Sequence, residues 1–236
     1  MVLTPKAEAL RAPLKSLLAG VTELVDPPQL PLAEMRQTLR ITMADYPALF
    51  LIGPLQAELQ RSAPGIDIVI QPWHGADAAR SDLVDGTSDL AISVFAPAED
   101  DLHREKLLVE HYAVAMRHGH RAEAAFDLAA WLAYPHILVS GRGDTRTPID
   151  AELAGRGLTR RVGFVVPNFQ MVETLLQGSD MIALLPSRVL SSFAGLVSLP
   201  PPLPVPGFTL HLAWHRRRMK DVALQHVASI LTGLLR

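Results

Sequence analysis

Side chains able to do chemistry are scattered along this sequence rather than gathered. Nine histidines are present and no cysteine, which leaves no disulfide, no thiolate metal site and no cysteine nucleophile. His118 and His120 share a strand face if that stretch is extended, and so do His211 and His215. In extended chain the second pair stands ~13 Å apart, too far to share a metal. Surface or core histidines are the expected reading, with no metal and no cofactor. Gly141-Arg142-Gly143 opens like a dinucleotide-binding loop, but Arg146 stands where the third glycine belongs, so the phosphate cradle fails. Arg142-Gly143-Asp144 reads as a polar turn. There is no G-x-S-x-G elbow, no P-loop and no H-E-x-x-H, and hence no expected enzyme chemistry. The run His215-Arg216-Arg217-Arg218-Met219-Lys220 is the sharpest basic cluster. It either meets a phosphate or forms a solvated turn before a helix.

Charge and size narrow the class. The formal net charge is −2, whereas a domain that grips duplex DNA carries a basic excess. The chain alone is therefore expected not to bind duplex DNA specifically. Its 236 residues, 49% of them hydrophobic, supply a core for one large domain or two small ones. No apolar run approaches the ~18 residues of a membrane span. The first residues, Met-Val-Leu-Thr-Pro-Lys-Ala-Glu, lack a basic segment followed by an apolar one, so no secretory signal is expected. Cytoplasmic location and no membrane contact follow as expectations.

The elements that would position a site alternate along the chain. Leu3, Ala7, Leu10, Leu14, Leu17, Val21 and Leu24 recur at spacings of four and three, the seam of a helix paired with another helix. An amphipathic helix folded onto its own domain fits the same spacing. Thr4-Pro5 supplies a start, with Thr as cap and Pro at the first position. Pro13 implies either a kink or a start at Pro13 itself. Asp26-Pro27-Pro28 and Pro31 then form a linker. From Thr38, strands expected at 38–43, 66–70 and 90–95 alternate with helices at 47–61 and 76–84, which implies a parallel sheet covered on both faces. The second half repeats the alternation. Strands are expected at 136–139, 161–166 and 181–185, with helices opening at Thr147-Pro148 and Asn168. A strand at 196–199, a stiff connector at 200–206, a strand at 208–214 and a helix at 221–235 complete the chain. Two α/β units with a late return suggest two lobes around a cleft.

Several short segments, in order, resemble the LysR-type transcription regulators. Leu3-Thr4-Pro5 with its seam resembles the end of that family's linker helix, and Thr38-Leu39-Arg40-Ile41 its first sensor strand. Leu59 to Gly65, with Pro64-Gly65 before a strand, resembles the approach to its second. The most specific match is Leu83-Val84-Asp85-Gly86-Thr87-Ser88-Asp89-Leu90-Ala91-Ile92, similar to L-x-x-G-x-x-D-L-A-I. Arg117-His118-Gly119-His120 resembles the R-x-x-H-P crossover, with Arg121 in place of proline. Gly178-Ser179-Asp180-Met181-Ile182-Ala183-Leu184-Leu185-Pro186 resembles G-x-G-I-A-L-L-P, with Asp180 in place of the second glycine. Trp214-His215 is similar to the branch of nodulation and aromatic-degradation regulators.

The resemblance implies an α/β fold of two Rossmann-like lobes around a ligand cleft, the type II periplasmic-binding-protein fold, preceded by a linker helix. Residues 1–26 would form a linker and dimerisation helix and 27–35 a linker. One lobe would span 36–115 plus 212–236, the other 116–211. The family's N-terminal winged helix-turn-helix would precede residue 1, so DNA would be met only through that missing head. A small-molecule effector, aromatic or carboxylate, would close the cleft of a homodimer or homotetramer. A solute-binding protein of a transporter is the alternative on the same fold. Ligands in such folds lie where strand C-termini meet helix N-termini, because free N–H groups and the helix dipole favour anions there. That places effector contacts at Ala44, Asp45 and Tyr46, at Ser140 and Gly141, and at Pro167, Asn168 and Phe169, with Ser93 and Phe95 adding a hydroxyl and an aromatic wall. Asp45 and Asn168 are equally explained as helix caps, Tyr46 as packing, and Phe95 as core.

Overall fold

The computed structural model describes residues 4–25, 30–96 and 101–235. Helix α1 spans Pro5–Val25. It begins at Pro5 rather than at Pro13, with Thr4 Oγ1 accepting the Ala7 N–H at 3.3 Å. Leu10, Leu14 and Leu17 are 53%, 60% and 67% exposed, so this part of the seam does not fold back onto the domain. Leu3, the Asp26-Pro27-Pro28 break and the side chains of Val21 and Leu24 lie outside what is described.

The first lobe is built from β1 (Gln37–Met43), α2 (Asp45–Ser62), β2 (Ile66–Pro72), α3 (Ala76–Asp85), β3 (Leu90–Ser93) and β4 (Leu102–Glu110). The second takes β5 (Tyr112–Arg117), α4 (Leu128–Ala133), β6 (His136–Val139), α5 (Pro148–Gly155), β7 (Val162–Val166), α6 (Gln170–Gln177), β8 (Ile182–Pro186), α7 (Ser187–Leu190) and β9 (Leu196–Leu199). Strand β10 (Phe208–His215) and helix α8 (Val222–Gly233) return to the first. The strand orders are β2-β1-β3-β10-β4 and β7-β6-β8-β5-β9. Both sheets are mixed, a correction to the all-parallel expectation, because β10 and β5 each run antiparallel to both neighbours.

Three of these elements, β4, β5 and α4, have no counterpart in the expected pattern. Strand β4 reads LHREKLLVE and carries charge at the centre of its run, so its sequence does not alternate. The chain crosses between sheets at His111 and again before Phe208. Bounds at 115/116 and 211/212 would cut β5 and β10, because hydrogen bonding assigns each strand whole. The crossings touch: a Cβ on Gly207 would lie 2.2 Å from the Glu110 carbonyl oxygen, so only glycine fits there.

The most specific sequence match has a structural cause. Gly86 caps α3 in the left-handed conformation at φ 77°, which glycine adopts without steric cost. Asp89, 6% exposed, accepts the Arg40 N–H at 2.8 Å and pairs with Arg218 at 2.5 Å. Arg218 also meets Asp221, the cap of α8. The basic run thus clamps β1, β3 and α8 through Arg218. The two departures from the family pattern face each other, since Asp180 pairs with Arg117 at 2.6 Å and lies 3.8 Å from Arg121. His118 and His120 part company, the first meeting Glu123 and the second buried against Ala122 N–H.

Candidate functional site

The two lobes meet through loops at strand C-termini, and two carboxylates join them, the half-buried Asp45 and the buried Glu110. Ala44 leaves β1 extended and α2 has no side-chain cap. Asp45, the first residue of α2, sends Oδ2 across to accept the N–H of Phe169, at the start of α6, at 2.6 Å. Burial raises the Asp45 carboxyl, outweighing the N–H groups of Phe169, Gln170, Asp45 and Tyr46. Tyr46, 3% exposed, donates its hydroxyl to Glu110. Glu110, 1% exposed, also accepts the Ser187 hydroxyl at 2.6 Å and N–H at 3.2 Å, and the His111 N–H at 2.8 Å. Burial raises that carboxyl, but hydrogen bonds led by Ser187 and Tyr46 outweigh it and lower its pKa. Burial, then the Glu110 bond, pushes the Tyr46 phenol up. Glu110 therefore stays charged and Tyr46 neutral at pH 7.

The remaining expected residues divide. Ser93, buried at the end of β3, accepts the Trp73 Nε1–H at 2.9 Å. Phe95 packs with Leu83, Ala91, Leu102 and Ala213 in the core under α3, away from the lobe interface. The Ser140 hydroxyl is spent within its own turn. It donates to Asp144 Oδ2 at 3.1 Å and accepts the Asp144 and Arg142 N–H groups. Gly141 lies against Pro167, whose carbonyl oxygen would stand 3.7 Å from a Cβ there. Arg142, read from the sequence only as part of a polar turn, reaches the first lobe. A Cβ on Gly75, whose φ is 113°, would lie 3.1 Å from its guanidinium. Asn168 Oδ1 accepts the Met171 N–H at 3.3 Å, a capping contact. Asn168→Ala is accordingly expected to cost about 0.5–2 kcal/mol in urea unfolding and to leave effector affinity unchanged by calorimetry. A tenfold loss of affinity would instead put its amide on the ligand.

A cavity of about 570 Å³ opens beside these contacts. Its walls come from the second lobe and the connectors, including Tyr112, Val139, Pro148, Leu184 and Val205. Phe169 is the one expected site residue among them. Its ring centroid lies 6.0 Å from that of Tyr46, which lies 5.4 Å from Phe50 and 6.2 Å from Phe208, itself 5.5 Å from Tyr112. Five aromatic rings thus run from the cavity wall into the first lobe. Arg160 also lines the cavity, yet its charge is matched by Asp150 at 2.8 Å. Its Nη2 donates to Thr147 Oγ1 at 3.0 Å, and Nη1 lies 3.3 Å from His136 Nδ1. The wall is therefore apolar with neutralised polar groups, suited to a flat, largely apolar guest. Trp73 could have been found by the rule that found Asp45, since it follows β2 as Asp45 follows β1. Tyr112 and Arg160 carry no such signal.

A family model described as LysR substrate binding domain matches residues 32–236. The chain belongs to the LysR family. It is 30% identical over 228 residues to the HTH-type transcriptional regulator SyrM of Rhizobium meliloti (strain 1021), covering 94% of this chain and 68% of that one. The regulatory domain of MexT, a transcriptional activator in Pseudomonas aeruginosa, superposes with a TM-score of 0.72 at 27% identity, covering 86% of this chain and 100% of that one. The BenM effector binding domain, solved with its effector benzoate, has the same fold. It matches with a TM-score of 0.66 at 16% identity over 85% of this chain and 93% of its own. The LysR chain here thus carries an effector-binding domain of the type II periplasmic-binding-protein fold, preceded by a helix. The transporter solute-binding alternative is not supported. Among the described residues no LysR helix is long and apolar enough to cross a membrane.

Proposed function

We propose that the cavity beside the hinge receives a small aromatic effector, and that occupancy shifts the arrangement of the lobes. The observation that carries this is Phe169, which lines the cavity and belongs to the aromatic chain reaching Tyr46 and Phe208. A guest against Phe169 changes the packing that fixes α6 against α2, and a packed interface switches between discrete arrangements rather than deforming smoothly. Tyr112 lines the same space, and burial, then Glu110, raises its phenol, so it stays neutral and can offer its hydroxyl to one polar atom of the guest. Benzoate, the effector of BenM, is of this chemical class. No covalent step is required, and the chain acts as a sensor rather than an enzyme.

The signal passes through assembly. The seam of Leu10, Leu14 and Leu17 on α1 is exposed, and a second copy of α1 would cover it, as heptad seams do. A homodimer or homotetramer built this way would transmit lobe motion to winged helix-turn-helix heads outside this chain, acting in the cytoplasm. The test is a thermal-shift and calorimetric screen of small aromatics, benzoate among them, on the chain and on Val139→Trp, which fills the cavity from the end of β6. A binder of the parent is expected to lose at least about tenfold in affinity, or ~1.4 kcal/mol, on the variant. Equal affinity for both would place the effector elsewhere.

A further inference from the structure

We propose that Asp45 is an internal ligand: its carboxylate fills the position between the lobes that a free carboxylate would otherwise take, and holds the lobes together without effector. Two helix N-termini from opposite lobes converge on it. It is the first residue of the 18-residue α2, and it accepts the Phe169 N–H at the start of the eight-residue α6, 124 positions further along the chain, at 2.6 Å. Neither helix has a side-chain cap from its own N-cap residue, Ala44 or Phe169. The leading N–H groups of both have no acceptor within their own helix and favour negative charge, although Asn168 Oδ1 already meets that of Met171 in α6. The Gln170 and Tyr46 N–H groups add to the Phe169 bond, so a single carboxylate serves both helix ends.

Burial outweighs these bonds and raises the Asp45 carboxyl. The charge is therefore kept between the lobes at an electrostatic cost, as a bound ligand's charge is. Two consequences follow. The lobes are already joined at α2 and α6 through Asp45, so an effector does not need to bridge them there. A carboxylate on an effector is refused at this position, because it would meet the Asp45 charge and no free N–H. Both consequences hold whether or not the cavity takes the effector.

The experiment is a melting series of the chain, Asp45→Ala and Asp45→Asn in sodium acetate or in acetamide, with ionic strength held constant by sodium chloride. Acetate is expected to raise the melting temperature of Asp45→Ala by about 2–4 °C, by occupying the vacated position, and to move the parent by less than about 1 °C. Acetamide, the neutral isostere, moves neither. Asp45→Asn keeps an oxygen on the Phe169 N–H and is expected to respond to acetate no more than the parent. A rise in the parent equal to that of Asp45→Ala overturns the proposal. So does a folded Asp45→Ala that is indifferent to acetate, or an Asp45→Asn that responds as strongly as Asp45→Ala. If Asp45→Ala is unfolded, recovery of its circular dichroism on adding acetate replaces the melting shift, and no recovery overturns it.

Discussion

Replacing Asp150 with alanine is expected to remove about 3–5 kcal/mol of unfolding free energy, the cost of leaving a buried charge alone. The charge is Arg160, whose side chain is 2% exposed and whose Nε bonds Asp150 at 2.8 Å. Asp150 also closes the capping box of α5 by accepting the Thr147 N–H at 2.7 Å, so one carboxylate serves a helix end and a cation. The double variant Asp150→Leu/Arg160→Met removes both charges and is expected to recover most of the loss. Urea unfolding of both variants separates the cases, and a single variant within about 1 kcal/mol of the parent would show that water reaches Arg160.

The same network sets a pH dependence in two windows. His136, 0% exposed, accepts at Nδ1 from Trp131 Nε1–H at 3.0 Å, with Nε2 3.0 Å from the Trp131 carbonyl. Burial, then the Arg160 charge, lowers its pKa from 6.5 to about 4. The unfolded chain thus binds a proton that the folded chain refuses, and stability falls as pH drops from 6.5 to about 4. The loss reaches about 3 kcal/mol, at 1.36 kcal/mol per pH unit. Burial would raise Asp150, but bonds from Arg160 and Thr147 outweigh it and hold the carboxyl at about 2. Its contribution is present above 3.8 and is lost as pH falls toward about 2. Urea midpoints at pH 7, 5 and 4 test the first window. A flat profile there would mean that His136 takes up its proton in the fold as readily as in the unfolded chain.

Glu110→Ala is expected to cost about 1–3 kcal/mol and to loosen the lobes together, since it strands the buried Tyr46 hydroxyl and removes the acceptor that the exposed Ser187 and His111 share with it. The Tyr46 hydroxyl lies in the first lobe, while the Ser187 hydroxyl and N–H lie in the second. Glu110→Gln retains one acceptor oxygen and sets an N–H against donors, so it should fall between parent and alanine. Urea unfolding gives the loss, and protease cleavage at the 200–207 crossing reads the loosening. A cost below about 1 kcal/mol, with cleavage unchanged, would show that the Tyr46 and Ser187 donors find other acceptors.

How far the site was legible varied with the type of residue. Asp45 and Phe169 follow from a rule about strand ends and helix starts, and the structure brings them into contact at 2.6 Å. Ser140 satisfies the same rule, yet its hydroxyl closes a local turn, because Asp144 lies four residues on and competes for it. Phe95 sits one residue too far past β3 and turns into the core. Tyr112 and Arg160 reach the cavity from a strand without alternation and from the first of two adjacent arginines, and nothing local marks either.

The sequence by itself determined the family and the order of most elements. Periodicity, the glycine after α3 and the Asp89 that anchors β1 and Arg218 are local demands, each met by residues a few positions apart or by one ion pair. Tertiary structure alone decided that both sheets are mixed, where the chain crosses between them, and which polar side chains face a cavity. Those outcomes depend on strands far apart in the chain, such as β10 beside β3 and β4. They depend also on burial, which turns Glu110 into a hinge and pairs Arg160 before any ligand can.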